Sequence, residues 1–262
     1  MTPRPAGAAV ALALLLTGCG TTPDAPPAAG PGAASGPSTG SGVSGQVTVL
    51  AAASLTTPFT ALAASFEKAN PGTTVRLSFG SSTTLAQQIA QGADADLYAS
   101  AGTTALQQLG DVEPTATVTL ARNTLEIATP AGDPAHVRSV ADLARKDVDV
   151  VLCAASVPCG RAADEVLAKA GVEAHVVSRE IDVSAALSKV TLDEADAAVV
   201  YHSDVVSAGS TVAGVAIPAA QNVTLTYPLL RFGDDPATAA FAAYLAGPEG
   251  TRVLGTAGFL TP

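Results

Sequence analysis

Apolar and polar positions along this chain follow two periods, and the switch between them recurs. Val47 to Ala52 reads as a buried strand, and Leu55, Phe59, Leu62 and Phe66 then recur at helical spacing over 55–69. Asn70-Pro71-Gly72 stops that helix. The same unit repeats, with strand 74–79 before helix 84–91 and strand 96–100 before helix 102–109. Alternation of this kind demands a mostly parallel sheet. A second α/β block follows: helix 139–145, strand 148–152, helix 160–170, strand 174–178, helix 183–190, strand 196–201, a short helix 204–208 and strand 212–217. Helices 236–246 and 248–256 close the chain.

Two long extended runs, 120–129 and 223–232, bracket the central block. The simplest topology builds one lobe from 46–121 plus 226–262 and a second from 122–225, with two strands crossing between them. A ligand then belongs in the interlobe cleft, facing helix N-termini from both sides.

The first residues follow a different pattern. Arg4 precedes the nine-residue apolar run Ala8 to Leu16, which suits a secretory signal and is too short to span a bilayer. Leu16-Thr17-Gly18-Cys19 resembles the lipobox of bacterial lipoproteins, where cleavage leaves the cysteine as a lipidated N-terminus. The expectation is a signal peptide over 1–18, a lipidated Cys19 and a flexible tether over 19–45. Residues 20–45 hold five prolines, seven glycines and no apolar side chain larger than Val43, too little to offset chain entropy. The folded part is therefore expected outside the cytoplasmic membrane, lipid-anchored to its surface.

Composition narrows the partners. The chain is 48 % hydrophobic, mostly alanine and valine, without tryptophan. Small side chains packing on strands fit an α/β core. The net charge of −10 argues against nucleic acid or an acidic membrane as the main partner, and it means overall charge does not steer an anion to the protein. Cys153 and Cys159 have five residues between them, and outside the membrane a disulfide is their expected fate. A bridge closing so short a loop adds roughly 2 kcal/mol on the chain-entropy account. His136, His175 and His202 lack ligand spacing, so no cation site is expected, and no cofactor is implied.

Sites on α/β sheets lie beyond the carboxyl ends of the strands. The turns there carry Ser54, Gly80-Ser81-Ser82-Thr83, Val157-Pro158-Cys159-Gly160, Asp182-Val183-Ser184 and Tyr201-His202-Ser203. Ser54 also reads as the cap of the first helix. The set is rich in small, hydroxylic and backbone donors, with Arg161 the only cation close by. Such a set suits a fully ionised oxyanion held by neutral donors.

Five segments occur in one order: Ala51-Ala52-Ala53-Ser54-Leu55, Phe79-Gly80-Ser81-Ser82, Ala93-Asp94-Ala95-Asp96-Leu97-Tyr98-Ala99-Ser100, Val157-Pro158-Cys159-Gly160 and Val200-Tyr201-His202-Ser203-Asp204. Together they resemble the periplasmic molybdate-binding proteins of bacterial ABC importers. Asn123-Thr124-Leu125, Tyr227-Pro228 and Leu245-Ala246-Gly247-Pro248 fit the same pattern, so the likeness covers 46–262. It implies a two-lobed periplasmic-binding-protein fold of type II-like form that captures molybdate, and tungstate of nearly equal size, for an ABC permease. It implies oxyanion ligation by Ser54, Ser82, Cys159, Val183 and Tyr201, the cysteine and valine through their backbone N–H groups. Cys159 stands where the family usually has alanine. Molybdenum would be bound only as the oxyanion, by a monomer that is not an enzyme. One alternative is a protein of the same architecture for sulfate, thiosulfate or another oxyanion. Another is a secreted serine hydrolase using Ser54 or Ser82, although neither serine sits in Gly-x-Ser-x-Gly and no histidine has an acidic partner near it in sequence.

Overall fold

Strand β1 (Gly45–Ala52) lies between β2 (Thr73–Gly80) and β3 (Leu97–Ala99), parallel to both. The computed structural model describes residues 42–262; the expected signal peptide, Cys19 and most of the tether lie outside the described residues. Among the described residues no helix is long and apolar enough to cross a membrane.

The long strand β4 (Ala116–Pro130) organises the rest. Its first part pairs antiparallel with β9 (Thr224–Arg231), from Ala116 opposite Arg231 to Thr124 opposite Thr224. Its second part pairs antiparallel with β7 (Ala197–Tyr201) and with β8 (Val212–Ala216). Strands β5 (Val150–Cys153) and β6 (Val176–Glu180) complete that half in parallel, giving the order β2-β1-β3-β9-β4-β7-β5-β6, with β8 also on β4.

The helices fill the connections as their apolar spacing predicts. Helix α1 (Thr56–Ala69) buries Phe59, Leu62, Ala63 and Phe66. Phe66 meets Phe241 and Tyr244 of α6 (Pro236–Ala246) at ring-centroid distances of 5.0 and 5.3 Å. Asn70 ends α1 as expected, its side-chain amide donating to the Phe66 carbonyl at 2.9 Å. The remaining helices are α2 (Ser82–Ala90), α3 (Pro158–Ala170), α4 (Val183–Thr191), α5 (His202–Ala208) and α7 (Pro248–Thr256).

Three local expectations are corrected. Ser54 caps no helix: Ala53–Leu55 forms a 3₁₀ turn, and α1 begins at Thr56 without a side-chain cap. Segments 102–109 and 139–145 are 3₁₀ turns, at Thr104–Leu109 and Val140–Ala144. Both are too short to repay the cost of nucleating an α-helix, and the first stops at Gly110, whose φ of 60° ends it. Helix α2 starts two residues earlier than its apolar positions suggest, which places Ser82 in its first turn.

Candidate functional site

Each strand that ends at the central crossing hands its chain to a helix at one place. The β1 end delivers Ser54, and the β2 end delivers Ser81 and Ser82 at the start of α2. From the other half come Val157, Pro158 and Cys159 at the start of α3, Asp182 and Val183 at α4, and Tyr201 at the end of β7. All of these line one cavity with about 220 Å³ of empty space, counting the part open to solvent. The five residues singled out in the sequence, Ser54, Ser82, Cys159, Val183 and Tyr201, are thus brought together, and all are buried.

Backbone donors converge there for a geometric reason. The first N–H groups of a helix have no intrahelical acceptor, and the helix dipole makes that end positive. In α2 the Leu85 N–H reaches the Ser81 carbonyl, so the earlier amides of Ser82, Thr83 and Thr84 lie before the first such bond. In α3 the Arg161 N–H reaches Val157, which leaves Cys159 and Gly160 in the same position. In α4 the Asp182 side chain takes the Ala185 N–H at 2.9 Å, and Val183 and Ser184 precede it. A disulfide joins Cys153 at the end of β5 to Cys159 in the first turn of α3, with Cα atoms 5.7 Å apart. Gly160 follows, and a Cβ there would lie 2.0 Å from the Ala154 carbonyl oxygen.

The hydroxyls divide into two kinds. Ser82 Oγ accepts the Ala101 N–H at 2.9 Å, and Tyr98 donates to the Ser82 carbonyl at 2.7 Å. Ser54 Oγ lies 3.0 Å from Tyr227 Oη. Ser81 Oγ and Tyr201 Oη are buried with no hydrogen-bond partner among the described residues. An unpaired buried hydroxyl is costly, so two of them lining one cavity mark a place built to meet something polar.

Charge is sparse here. No lysine or arginine is among the lining residues, and the only charged one is Asp182, whose carboxylate is occupied at the α4 cap. Burial, then the neighbouring Tyr227 and Asp204, push the Tyr201 phenol well above its ordinary range, so it stays protonated and able to donate. Burial likewise raises Tyr98 to about 12. Asp204, which accepts the Tyr201 N–H at 2.9 Å, is raised by burial to about 7, with Asp182 adding to the shift and the Tyr201 N–H opposing it. The site offers neutral donors and no nucleophile with a base: His202 is paired with Glu126 at 2.6 Å, while Ser54 and Ser82 have Tyr227 and Ala101 as partners.

Comparison with known proteins gives this arrangement its relatives. Residues 47–260 match the family described as bacterial extracellular solute-binding protein. The molybdate-binding protein ModA of Mycobacterium tuberculosis is 38 % identical over 225 residues, covering 83 % of this chain and 85 % of that protein. This chain belongs to that family, and to its ModA-type members. ModA of Haemophilus influenzae is 32 % identical over 232 residues, covering 82 % and 90 %. Among solved structures, the periplasmic molybdate-binding protein of Azotobacter vinelandii superposes with a TM-score of 0.73 at 22 % identity, covering 82 % of this chain and 99 % of that one, a likeness of fold. This ModA-type chain is therefore an extracytoplasmic solute-binding protein of mixed α/β, periplasmic-binding-protein fold, and its relatives are binding proteins rather than enzymes.

Sequence reasoning missed part of the surroundings. In the sequence Ser81 is only one member of a hydroxyl-rich turn, yet its side chain is one of the two unpaired hydroxyls among the residues that line the cavity. Asn123 and Tyr227, on β4 and β9, are fully buried beside Ser54. The signal that marks them is a polar residue inside an extended apolar run.

Proposed function

We propose that this protein captures molybdate, and tungstate equally, and delivers it to an ABC permease. The observation that carries the reading is the lining of the cavity: helix-start amides and protonated hydroxyls from both halves of the sheet, without a lining cation. Charge-assisted hydrogen bonds from neutral donors can replace the hydration shell of a doubly charged tetrahedral oxyanion. In this reading Ser54, Ser82 and Tyr201 donate hydroxyl hydrogens, and Cys159 and Val183 donate their backbone N–H groups. The lobes 46–121 plus 226–262 and 122–225 close on the anion as a monomer, while a lipidated Cys19 holds the protein at the membrane. The molybdate-binding relatives support the choice of anion.

A site made of donors disfavours a protonated phosphate, whose own hydroxyl finds no acceptor. Sulfate has the charge and the shape, so its rejection rests on size, the smaller tetrahedron leaving donors stretched. Titration calorimetry of the purified 46–262 segment with molybdate, tungstate, sulfate and phosphate tests this. The expected result is one site, filled comparably by molybdate and tungstate, with sulfate at least tenfold weaker. Tighter binding of sulfate, or no heat with molybdate, overturns the assignment.

A further inference from the structure

Ser54 can serve an anion only if its hydroxyl hydrogen is free to point at it. The surrounding bonds decide this. Asn123 is fully buried, and its Oδ1 accepts the Thr124 N–H at 3.0 Å, which fixes the amide so that both Nδ2 hydrogens face the other way. One goes to Ser203 Oγ at 2.8 Å, and Nδ2 also lies 3.5 Å from Tyr227 Oη. The Tyr227 oxygen thus already faces a donor. Its own proton sits in a fully buried ring, and the hydrogen-bond partner within reach that can accept it is Ser54 Oγ, 3.0 Å away. If Ser54 donated instead, the Tyr227 proton would be buried without an acceptor, an arrangement that native interiors avoid.

We propose that Asn123 and Tyr227 are positioning residues for the oxyanion, a chain in which Asn123 donates to Tyr227, Tyr227 donates to Ser54, and Ser54 is left with its hydrogen for the ligand. Ser82 is arranged in parallel, its oxygen filled by the Ala101 N–H, so both serines of the first half face the cavity with a hydrogen to donate. Asn123 and Tyr227 lie on β4 and β9, so the chain runs along the two strands that join the halves of the sheet. The Asn123 end of the relay is fixed by the Thr124 N–H, outside the cavity lining. The inference rests on the oxyanion reading above and adds to it which residues set the hydrogen-bond polarity of the site.

Tyr227→Phe keeps the ring that packs edge-on to Phe259 at 5.1 Å and removes only the hydroxyl. Calorimetry with molybdate on wild type, Tyr227→Phe, Ser54→Ala and the double variant forms a cycle. Tyr227→Phe is expected to weaken molybdate about tenfold, the scale of one hydrogen bond to a charged group, and to cost nothing further once Ser54 is alanine. A purely structural role would give the same loss in both backgrounds, and additive losses, or wild-type affinity in Tyr227→Phe, overturn the proposal. A second measurement needs no ligand: in the wild-type protein the Tyr227 hydroxyl proton should give a slowly exchanging NMR resonance with a cross-peak to the Ser54 methylene. A cross-peak to the Tyr201 ring instead, or no protected hydroxyl, also overturns it. If wild type fails to bind molybdate, the oxyanion reading falls, while the resonance still decides the direction of the relay.

Discussion

Replacing Gly160 by alanine tests how tightly the start of α3 is held over the cavity. In an ordinary helix the change stabilises, by about 1 kcal/mol of propensity. Here the new Cβ would stand 2.0 Å from the Ala154 carbonyl oxygen, 2.5 Å from its carbonyl carbon and 2.6 Å from the Cys153 carbonyl oxygen. A carbon needs about 3.3 Å from such an oxygen, so backbone must move by roughly 1 Å. Neither side yields easily, because the disulfide ties Cys153 to the residue just before Gly160. Overpacking of this kind costs about 1–3 kcal/mol, which leaves a net loss of up to about 2 kcal/mol after the propensity gain. For a chain of this size that lowers Tm by up to about 8 °C. The same displacement moves the Cys159 N–H away from the cavity. Losing one donor to a doubly charged ligand weakens molybdate by about 1–3 kcal/mol, roughly five- to 150-fold. Thermal melts and titration calorimetry on Gly160→Ala read both effects. A variant as stable as wild type with unchanged molybdate affinity would refute the close packing and the role of the Cys159 amide together.

Two further outcomes follow from the same geometry. Ser82→Ala removes a hydroxyl proposed to meet the anion and also strands the buried Ala101 N–H, so molybdate should weaken by about 1–3 kcal/mol and Tm should fall with it; calorimetry showing wild-type affinity takes Ser82 out of the proposed ligand set. Asp204 has its folded pKa raised to about 7 from 3.8, so the unfolded chain releases this proton first. Its contribution is fully present below about pH 4 and is lost as pH rises through 7, by about 4 kcal/mol at most. Urea unfolding at pH 5 and pH 8 should show about 2–3 kcal/mol of that decline in wild type and a much smaller one in Asp204→Asn; an equal decline in both assigns it to other groups.

The alternation of strand and helix was readable because Val, Leu and Phe positions keep their period, and most of the elements lie within about two residues of where the pattern places them. What the pattern could not supply was anything set by distant partners. Ser54 looks like a cap because local sequence favours one, but its hydroxyl is held by Tyr227, a partner 173 residues away. Thr104–Leu109 and Val140–Ala144 have helical spacing, yet they are too short for their ends to settle into α geometry. The candidate site was legible at the turns, where small and hydroxylic residues stand out. Its support was not, since Asn123 and Tyr227 sit in strands, where the apolar period says nothing about a polar residue's partner.

The placement of β9 has a consequence for how the molecule is made. In the finished sheet β9 stands between β3 and β4, so two strands that are consecutive in the chain never touch. Until residues 224–231 are available, the first half of the sheet ends at an open β3 edge, and Ser54 lacks the tyrosine that holds its hydroxyl. Contacts this distant form late and slowly, and an unpaired strand edge invites the wrong partner. The second half is nearly contiguous in sequence, from β4 to β8. A growing chain can therefore assemble its middle first, while the two halves that meet at the cavity are joined through β9 only when that last strand enters its slot.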